Sequence, residues 1–598
     1  MKATFLSRFT NLLDTNYAPS SEEVVEIESL LCDPQERLRS LDAEISKLQA
    51  ERDELRQHID RHRMLLSPFR RLPVDLWGEI FVQALPSNEY NLPGRTLKDA
   101  PLLLTTVCRT WRDIALRTPR LWNGIHVYFP RQHRRHRAVQ LSSLLRVRKE
   151  GVKAWLDRSG SLPITLSLAI GPDSDGPDLS DPDRLELDAV LSSFFELLVQ
   201  YCRKLQAIKL THELDELPTT IWQPLTGLTP NDLPLLEDVR VRGALFSYNP
   251  STWTVAAPTP LAQLLRKLPG LRKLHISGEA LGSVLDLELL SWSSLTDLHL
   301  ASYQITNLSS LMARLAGSCP SLSSLYLSIY SPRRISAQDQ PSHVSTSPYK
   351  WNALRSLELL VRESYQNPDI DNRDDFCEIL SETFRELRAP VLERLILHAS
   401  RHNIYSVYVG STLPFHDMIV HSGSPIRHLS LDLFFFSNTE ALSRALEILP
   451  LLKSLKLSMG PDPPLGLIRE GRDEVDSLES ALLLLSRLIV THIGSGIEEL
   501  DLHGCGIGHA DTIITTAITM PNLKLLKADF GLIYRDAASE TMHSSRVREG
   551  LIHLREAKGI RVIWKWQSPH HDWSSTDSPY AGIRWPHPGS EPEYAESL

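Results

Sequence analysis

Few residues of this 598-residue chain stand at the spacings that chemistry requires. His212-Glu213-Leu214-Asp215-Glu216 approaches the His-Glu-x-x-His helix of zinc proteases, but Glu216 takes the place of the second histidine. His503, Cys505 and His509 suggest a metal at first sight. Cys505, however, falls eight residues after Ile497, the Asn/Cys position of the repeat Leu-x-x-Leu-x-Leu-x-x-Asn/Cys, so a structural role is expected. The six cysteines (32, 108, 202, 319, 377 and 505) include no pair at metal-ligand spacing, and they are too few for a disulfide scaffold. A reducing compartment follows. There is no phosphate loop and no Gly-x-Ser-x-Gly elbow, and Gly494-Ser495-Gly496 reads as a turn before a strand. These residues predict neither an enzyme nor a cofactor. Recognition is the remaining class.

What could do the recognising is a repeat. The pattern apolar-x-x-apolar-x-apolar recurs as Leu205/Ile208/Leu210, Leu236/Val239/Val241, Leu271/Leu274/Ile276, Leu295/Leu298/Leu300 and Leu322/Leu325/Leu327. It continues through Leu354/Leu357/Leu359, Leu392/Leu395/Leu397, Ile426/Leu429/Leu431, Leu452/Leu455/Leu457, Ile497/Leu500/Leu502 and Leu523/Leu526/Ala528. The units start 24 to 45 residues apart, so several carry insertions relative to a 20–29-residue repeat. Each unit has a short strand with two inward apolar residues, and only stacked units share a core. Helices ending near proline precede several strands, as in LAQLLRKLPGL, LMARLAGSCPSL and ALSRALEILPLL. The residue between the two inward positions points to the opposite face. Those residues form a ladder: Lys209, Arg240, His275, His299, Tyr326, Glu358, Ile396, Ser430, Lys456, Asp501 and Lys527. A partner protein would be read there, with Arg240, His275, His299, Tyr326 and Glu358 as candidate contacts.

Residues 66–122 differ from both neighbours. Leu72-Pro73 opens a helix carrying Leu76, Trp77, Ile80, Phe81 and Ala84 at helical spacing, since proline in a first turn forfeits no hydrogen bond. A second helix sets Leu103, Val107, Cys108, Trp111, Ile114 and Ala115 on an apolar surface, with Cys108 expected to be a small buried residue. The linker 86–99 carries Pro and Gly turn signals. About 50 residues of short helices bury too little surface to stand alone, so part of their apolar face must meet the array or a partner. The order Leu72-Pro73, Asp75, Leu76, Ile80-Phe81, Val107-Cys108-x-x-Trp111 and Pro119-x-Leu121-Trp122 resembles an F-box. Asp75 stands where that family usually has glutamate. The array is similar to the leucine-rich repeats that many F-box proteins carry. The resemblance implies docking on the Skp adaptor, and through it a cullin–RING ubiquitin ligase, by Leu72, Pro73, Leu76, Ile80, Phe81, Val107, Cys108 and Trp111. It implies that the array holds a substrate protein.

Upstream, Leu38, Leu41, Ile45, Leu48, Leu55, Ile59 and Leu66 follow a heptad seam interrupted by Arg52 and His62. Two readings stand: a coiled coil that forms a homodimer through residues 38–66, or a lone helix docking on the next domain. The expected fold class is α/β: a leucine-rich-repeat solenoid preceded by a small all-α F-box-like domain and an N-terminal coiled-coil-like helix. The expected organisation is a flexible 1–20, a helical 21–65, an F-box-like 66–122, and an array over 123–566 with insertions at 171–183 and 331–350. A disordered tail covers 567–598. The net charge of −9 lacks the basic excess of a nucleic-acid binder. No signal peptide or membrane-length apolar run is present, and ALLLLSRLIV (481–490) reads as a buried helix. A cytoplasmic or nuclear location without membrane attachment is expected. The alternative function is a coiled-coil, leucine-rich-repeat scaffold with no ligase role.

Overall fold

The computed structural model describes residues 7–13, 15–66, 71–86, 92–129, 138–170, 181–212, 224, 227–242, 268, 270–277, 292–304, 308–330, 348–362, 373–399, 413–433, 439–458, 475–490, 495–505, 509–530 and 545–566. Two compact units are present, Met1–Ile80 and Phe81–Leu598.

In the first unit one helix dominates, α1 (Ser21–Leu65, 45 residues). A capping box starts it: the Glu23 amide donates to Ser20 Oγ (3.3 Å), and the Ser20 amide donates to Glu23 Oε2 (2.9 Å). No residue of α1 is buried. Before it, the described residues contain a 3-10 turn at Thr10–Leu12 with Phe9 buried. α2 (Val74–Gln83) begins one residue after Pro73, whose carbonyl accepts from the amides of Leu76 (3.1 Å) and Trp77 (3.3 Å). The proline therefore starts the helix as its ring predicts.

The second unit is built on a parallel sheet. Its strands are β1 (Gly124–Phe129), β2 (Ile164–Ile170), β3 (Leu205–His212), β4 (Asp238–Arg242), β5 (Lys273–Ser277), β6 (Asp297–Gln304) and β7 (Ser324–Tyr330). They continue as β8 (Tyr349–Lys350), β9 (Ser356–Arg362), β10 (Leu387–Arg388), β11 (Arg394–Ala399), β12 (His428–Asp432) and β13 (Ser454–Ser458). The last are β14 (Glu499–Cys505), β15 (Leu525–Phe530) and β16 (Arg561–Trp566). Fourteen of them, all but β8 and β10, pair in chain order, every pair parallel. Such a succession of parallel neighbours is compatible with a solenoid-like arrangement. Many connections are helices, among them Leu308–Ser318, Thr439–Glu447, Val475–Val490 and Ala510–Thr519.

The apolar triplets explain the stacking. Leu354, Leu357 and Leu359 are at most 1% exposed, and Leu322, Leu325 and Leu327 are equally buried. These inward residues form part of the buried core. Ala481, Leu482 and Leu485 join it from the helix at 475–490. Among the described residues no helix is long and apolar enough to cross a membrane.

Several expectations need correction. The insertion proposed for 331–350 ends sooner, because Tyr349–Lys350 forms β8 and pairs with β10. Asp181–Asp183, assigned to the acidic loop 171–183, open the helix Asp181–Gln200. The second half of the linker is packed: Pro93, Gly94 and Thr96 are buried, and the Pro93 carbonyl accepts from the His126 amide of β1 (3.1 Å). It thereby covers the edge strand of the sheet, which would otherwise present unpaired backbone. β1 itself was not anticipated. Its run Ile125-His126-Val127-Tyr128-Phe129 alternates but is short and lacks the leucine triplet, and all six residues of the strand are buried. LAQLLRKLPGL is outside the described residues but for Leu268, Gly270 and Leu271, and the tail 567–598 is wholly outside them.

One close approach gives a stability test. A Cβ on Gly550, in the helix Ser545–Glu556, would lie 2.6 Å from Cγ2 of Ile514, a buried residue of the helix Ala510–Thr519. Gly→Ala in an exposed helix stabilises by ~1 kcal/mol, but overpacking costs ~1–3 kcal/mol. Gly550→Ala is expected to lower the urea midpoint of the array. A raised midpoint would show that the two helices part freely.

Candidate recognition surfaces

The ladder is in register. Lys209, Arg240, His275, His299, Tyr326, Glu358, Ile396, Ser430, Lys456, Asp501 and Lys527 are successive backbone partners from β3 to β15. The row extends past both ends, through Ser167 to His126 and on the other side to Ile563. His126 Nδ1 lies 2.8 Å from Ser167 Oγ. Ser167 and Ile563 lie in PITLSLAI (163–170) and IRVIWKW (560–566), both legible as strands in the sequence, whereas the strand of His126 was not read from it.

Between β4 and β9 the row is planar and half-buried. Arg240 clasps the Asp238 carboxylate (Nη2–Oδ2 2.9 Å). The rings of His275 and His299 stack with centroids 5.2 Å apart and planes at 8°. Those of His299 and Tyr326 stack at 3.8 Å and 5°. His275 Nε2 is 3.3 Å from Asp297 Oδ1, at an angle poor for a hydrogen bond. Burial acts to raise the Asp297 pKa, yet His275, Lys273 and Arg240 together hold it below the ordinary carboxylate value. Burial, seconded by the charge of His275, pushes His299 down to about 4, so its ring is neutral at pH 7. Burial raises the Glu358 carboxyl. The five candidate contacts thus form one strip: a cation at one end, three stacked rings, a carboxyl at the other.

The later part of the row is occupied with itself. His503 lies between Asp501 (3.2 Å) and Asp529 (3.5 Å), and Lys527 Nζ binds Glu499 (2.5 Å). Ser430 Oγ is 3.0 Å from His398 Nε2, which has the outline of a nucleophile and base. Burial, then Lys456 and His503, push His398 down to about 4, and a base that weak extracts few protons at pH 7. Cys505 is buried and its thiol is pushed up to about 12 by burial and by Asp529 and Asp501, so it fits the structural role. Among the described residues no group of three or more His, Cys, Asp or Glu is placed to hold a metal. Of His212–Glu216 only His212 is described, at the end of β3.

The depressed histidines, His299, His398 and His428, set a pH dependence. Unfolded, they titrate near 6.5. Below that value the unfolded chain takes up protons that the folded chain refuses, so stability falls as pH drops from about 6.5 toward 4. Each histidine removes at most ~2 kcal/mol by pH 5. The urea midpoint is expected to fall between pH 7 and pH 5, and to fall less in His299→Gln. An equal fall in both proteins would remove His299 from the account.

The motif residues of 66–122 divide between the two units. In the first, Leu72 is half-buried and Pro73 exposed, while Leu76 and Ile80, one turn apart on α2, are 49% and 43% exposed. In the second, Phe81 is 1% exposed and its ring centroid is 4.9 Å from that of Trp111. The second helix is not continuous. α3 (Leu104–Val107) and α4 (Arg109–Leu116) are separated by Cys108, which is extended at φ −158° and ψ 170°. Cys108 caps α4, its Sγ accepting from the Trp111 amide (3.4 Å), and it is exposed rather than buried. A cap must leave the helix axis, and that turns its side chain off the core. The break splits the expected apolar surface: Ile114 and Ala115 are buried, whereas Leu103 and Val107 are 41% and 54% exposed. No protein-family model matches the chain, and no curated protein is significantly similar to it.

Proposed function

We propose that this chain is the non-catalytic substrate-recognition subunit of a Skp–cullin–F-box ubiquitin ligase. Residues 66–122 act as an F-box-like docking segment, and the parallel array acts as a leucine-rich-repeat solenoid that holds a substrate protein. The observation that carries the reading is the uncovered apolar set at motif positions. Leu76 and Ile80 lie one turn apart on α2, Val107 closes α3, and all three are more than 40% exposed. Burying such a side chain against a partner is worth ~1.5–3 kcal/mol. The ladder strip of Arg240, His275, His299, Tyr326 and Glu358 supplies the substrate face. The protein itself performs no chemistry: by binding both partners it raises the effective concentration of substrate lysines near a charged ubiquitin-conjugating enzyme.

Retention of purified Skp by the full-length protein is the test. Stable co-elution is expected. Failure to co-elute would overturn the docking reading and leave the alternative, a leucine-rich-repeat scaffold outside any ligase.

A further inference from the structure

We propose that α1 is a parallel two-stranded coiled coil formed with a second copy of this chain. A 45-residue helix is about 67 Å long, and helices in proteins owe most of their stability to packing an apolar face. α1 packs none: no residue of it is buried. Its apolar residues nevertheless keep one phase along the helix. With Val24 as position a, the a series is Val24, Leu31, Leu38, Ile45, Arg52, Ile59 and Leu66. The d series is Ile27, Pro34, Leu41, Leu48, Leu55 and His62. The seam therefore begins two heptads before Leu38. From Leu38 to Ile59 every apolar member is at least 40% exposed.

Three features select a second copy as the occupant. First, leucine holds every d position from 41 to 55 and isoleucine two of the facing a positions, the combination that favours two parallel strands. Second, Arg52 is a single polar residue at a, a device that sets register and excludes higher oligomers. In the chain by itself its guanidinium turns aside to Asp53 (2.7 Å). In the dimer, Glu51 of the other copy lies beside it. Third, the flanking positions are complementary in parallel register. Arg37 of one copy faces Asp42 of the other, and Glu51 faces Arg56. Glu44 opposite Gln49 is neutral, so within this core no flanking pair repels. This inference is independent of Skp docking and is tested by mass alone.

Sedimentation of the full-length protein at micromolar concentration is expected to give twice the 67.6 kDa of one chain. Leu41→Glu with Leu48→Glu is expected to halve that mass, because both residues are exposed in the single chain and their loss leaves the array intact. Glu51→Arg alone and Arg56→Glu alone are each expected to raise the dissociation constant at least tenfold. Their double variant reverses the 51/56 pair but sets a second arginine beside Arg52, so rescue is read at the other pair: Arg37→Asp and Asp42→Arg, each weakening the dimer alone, together restore it. A wild-type mass of one chain overturns the proposal. Dissociation by Arg37→Asp and by Asp42→Arg without rescue in their double overturns the parallel register.

Discussion

Ile80→Glu with Val107→Glu is expected to abolish retention of Skp by the full-length protein while leaving its melting temperature within a few degrees of wild type. Both side chains are exposed, at 43% and 54%. Surface substitutions of this kind usually change stability by under ~0.5 kcal/mol, and glutamate is a good helix former. At an apolar interface the same carboxylates would lose their water without gaining a partner, at several kcal/mol each. Two of them correspond to at least a thousandfold weaker binding. The neighbouring Phe81→Ala is the contrast. Phe81 is 1% exposed and packs on Trp111, and deleting a buried phenyl ring costs ~3–5 kcal/mol. That variant is expected to unfold locally before it says anything about docking. Undiminished Skp retention by the double glutamate variant would remove Ile80 and Val107 from the docking face.

A second large effect is expected at Trp122. The residue is 0% exposed, its ring meets Trp155 edge-on at 4.8 Å, and Arg158 lies over its face at 4.8 Å. Its Nε1 donates to the Ala115 carbonyl (2.8 Å), and Trp155 Nε1 donates to the Gly124 carbonyl (3.2 Å). The pair thus joins α4, β1 and the helix Ala138–Arg158. Trp122→Ala removes a buried ring at ~3–5 kcal/mol and strands the Ala115 carbonyl at ~1 kcal/mol more. In a repeat array each unit touches mainly its neighbours, so the damage should stay near one end. Limited proteolysis is expected to cut within residues 104–170 first, with the later strands protected. Trp122→Phe, which keeps a ring and loses the donor, should be cut more slowly. Cleavage spread evenly along the chain would mean that the array melts as one body.

How the array was legible is clear from Leu357, Glu358 and Leu359. Two leucines flanking one outward residue state both the strand and its facing, because side chains alternate across a strand. Repeating that statement eleven times aligns the outward residues into one row, and the structure places them as successive partners from Lys209 to Lys527. The start of α2 was equally legible, since Pro73 acts through its own ring. Cys108 was not. Helical periodicity runs straight through it, and nothing local to Val107-Cys108-Arg109 announces an extended residue.

What the chain of residues determined by itself is therefore local and periodic: the leucine triplets, the outward ladder, the heptad phase of α1 and the motif order of 66–122. Tertiary structure alone decided the rest. β1 exists as the edge strand because Pro93 and β2 lie on either side of it. His275, His299 and Tyr326 become one stack, with His299 pushed down to about 4, because adjacent strands bring rings from three repeats within contact and away from water. Leu76, Ile80 and Val107 have the spacing of core residues and are nonetheless exposed. Spacing specifies the face of a helix on which a side chain lies. What that face meets is set by residues distant in the chain or by another molecule.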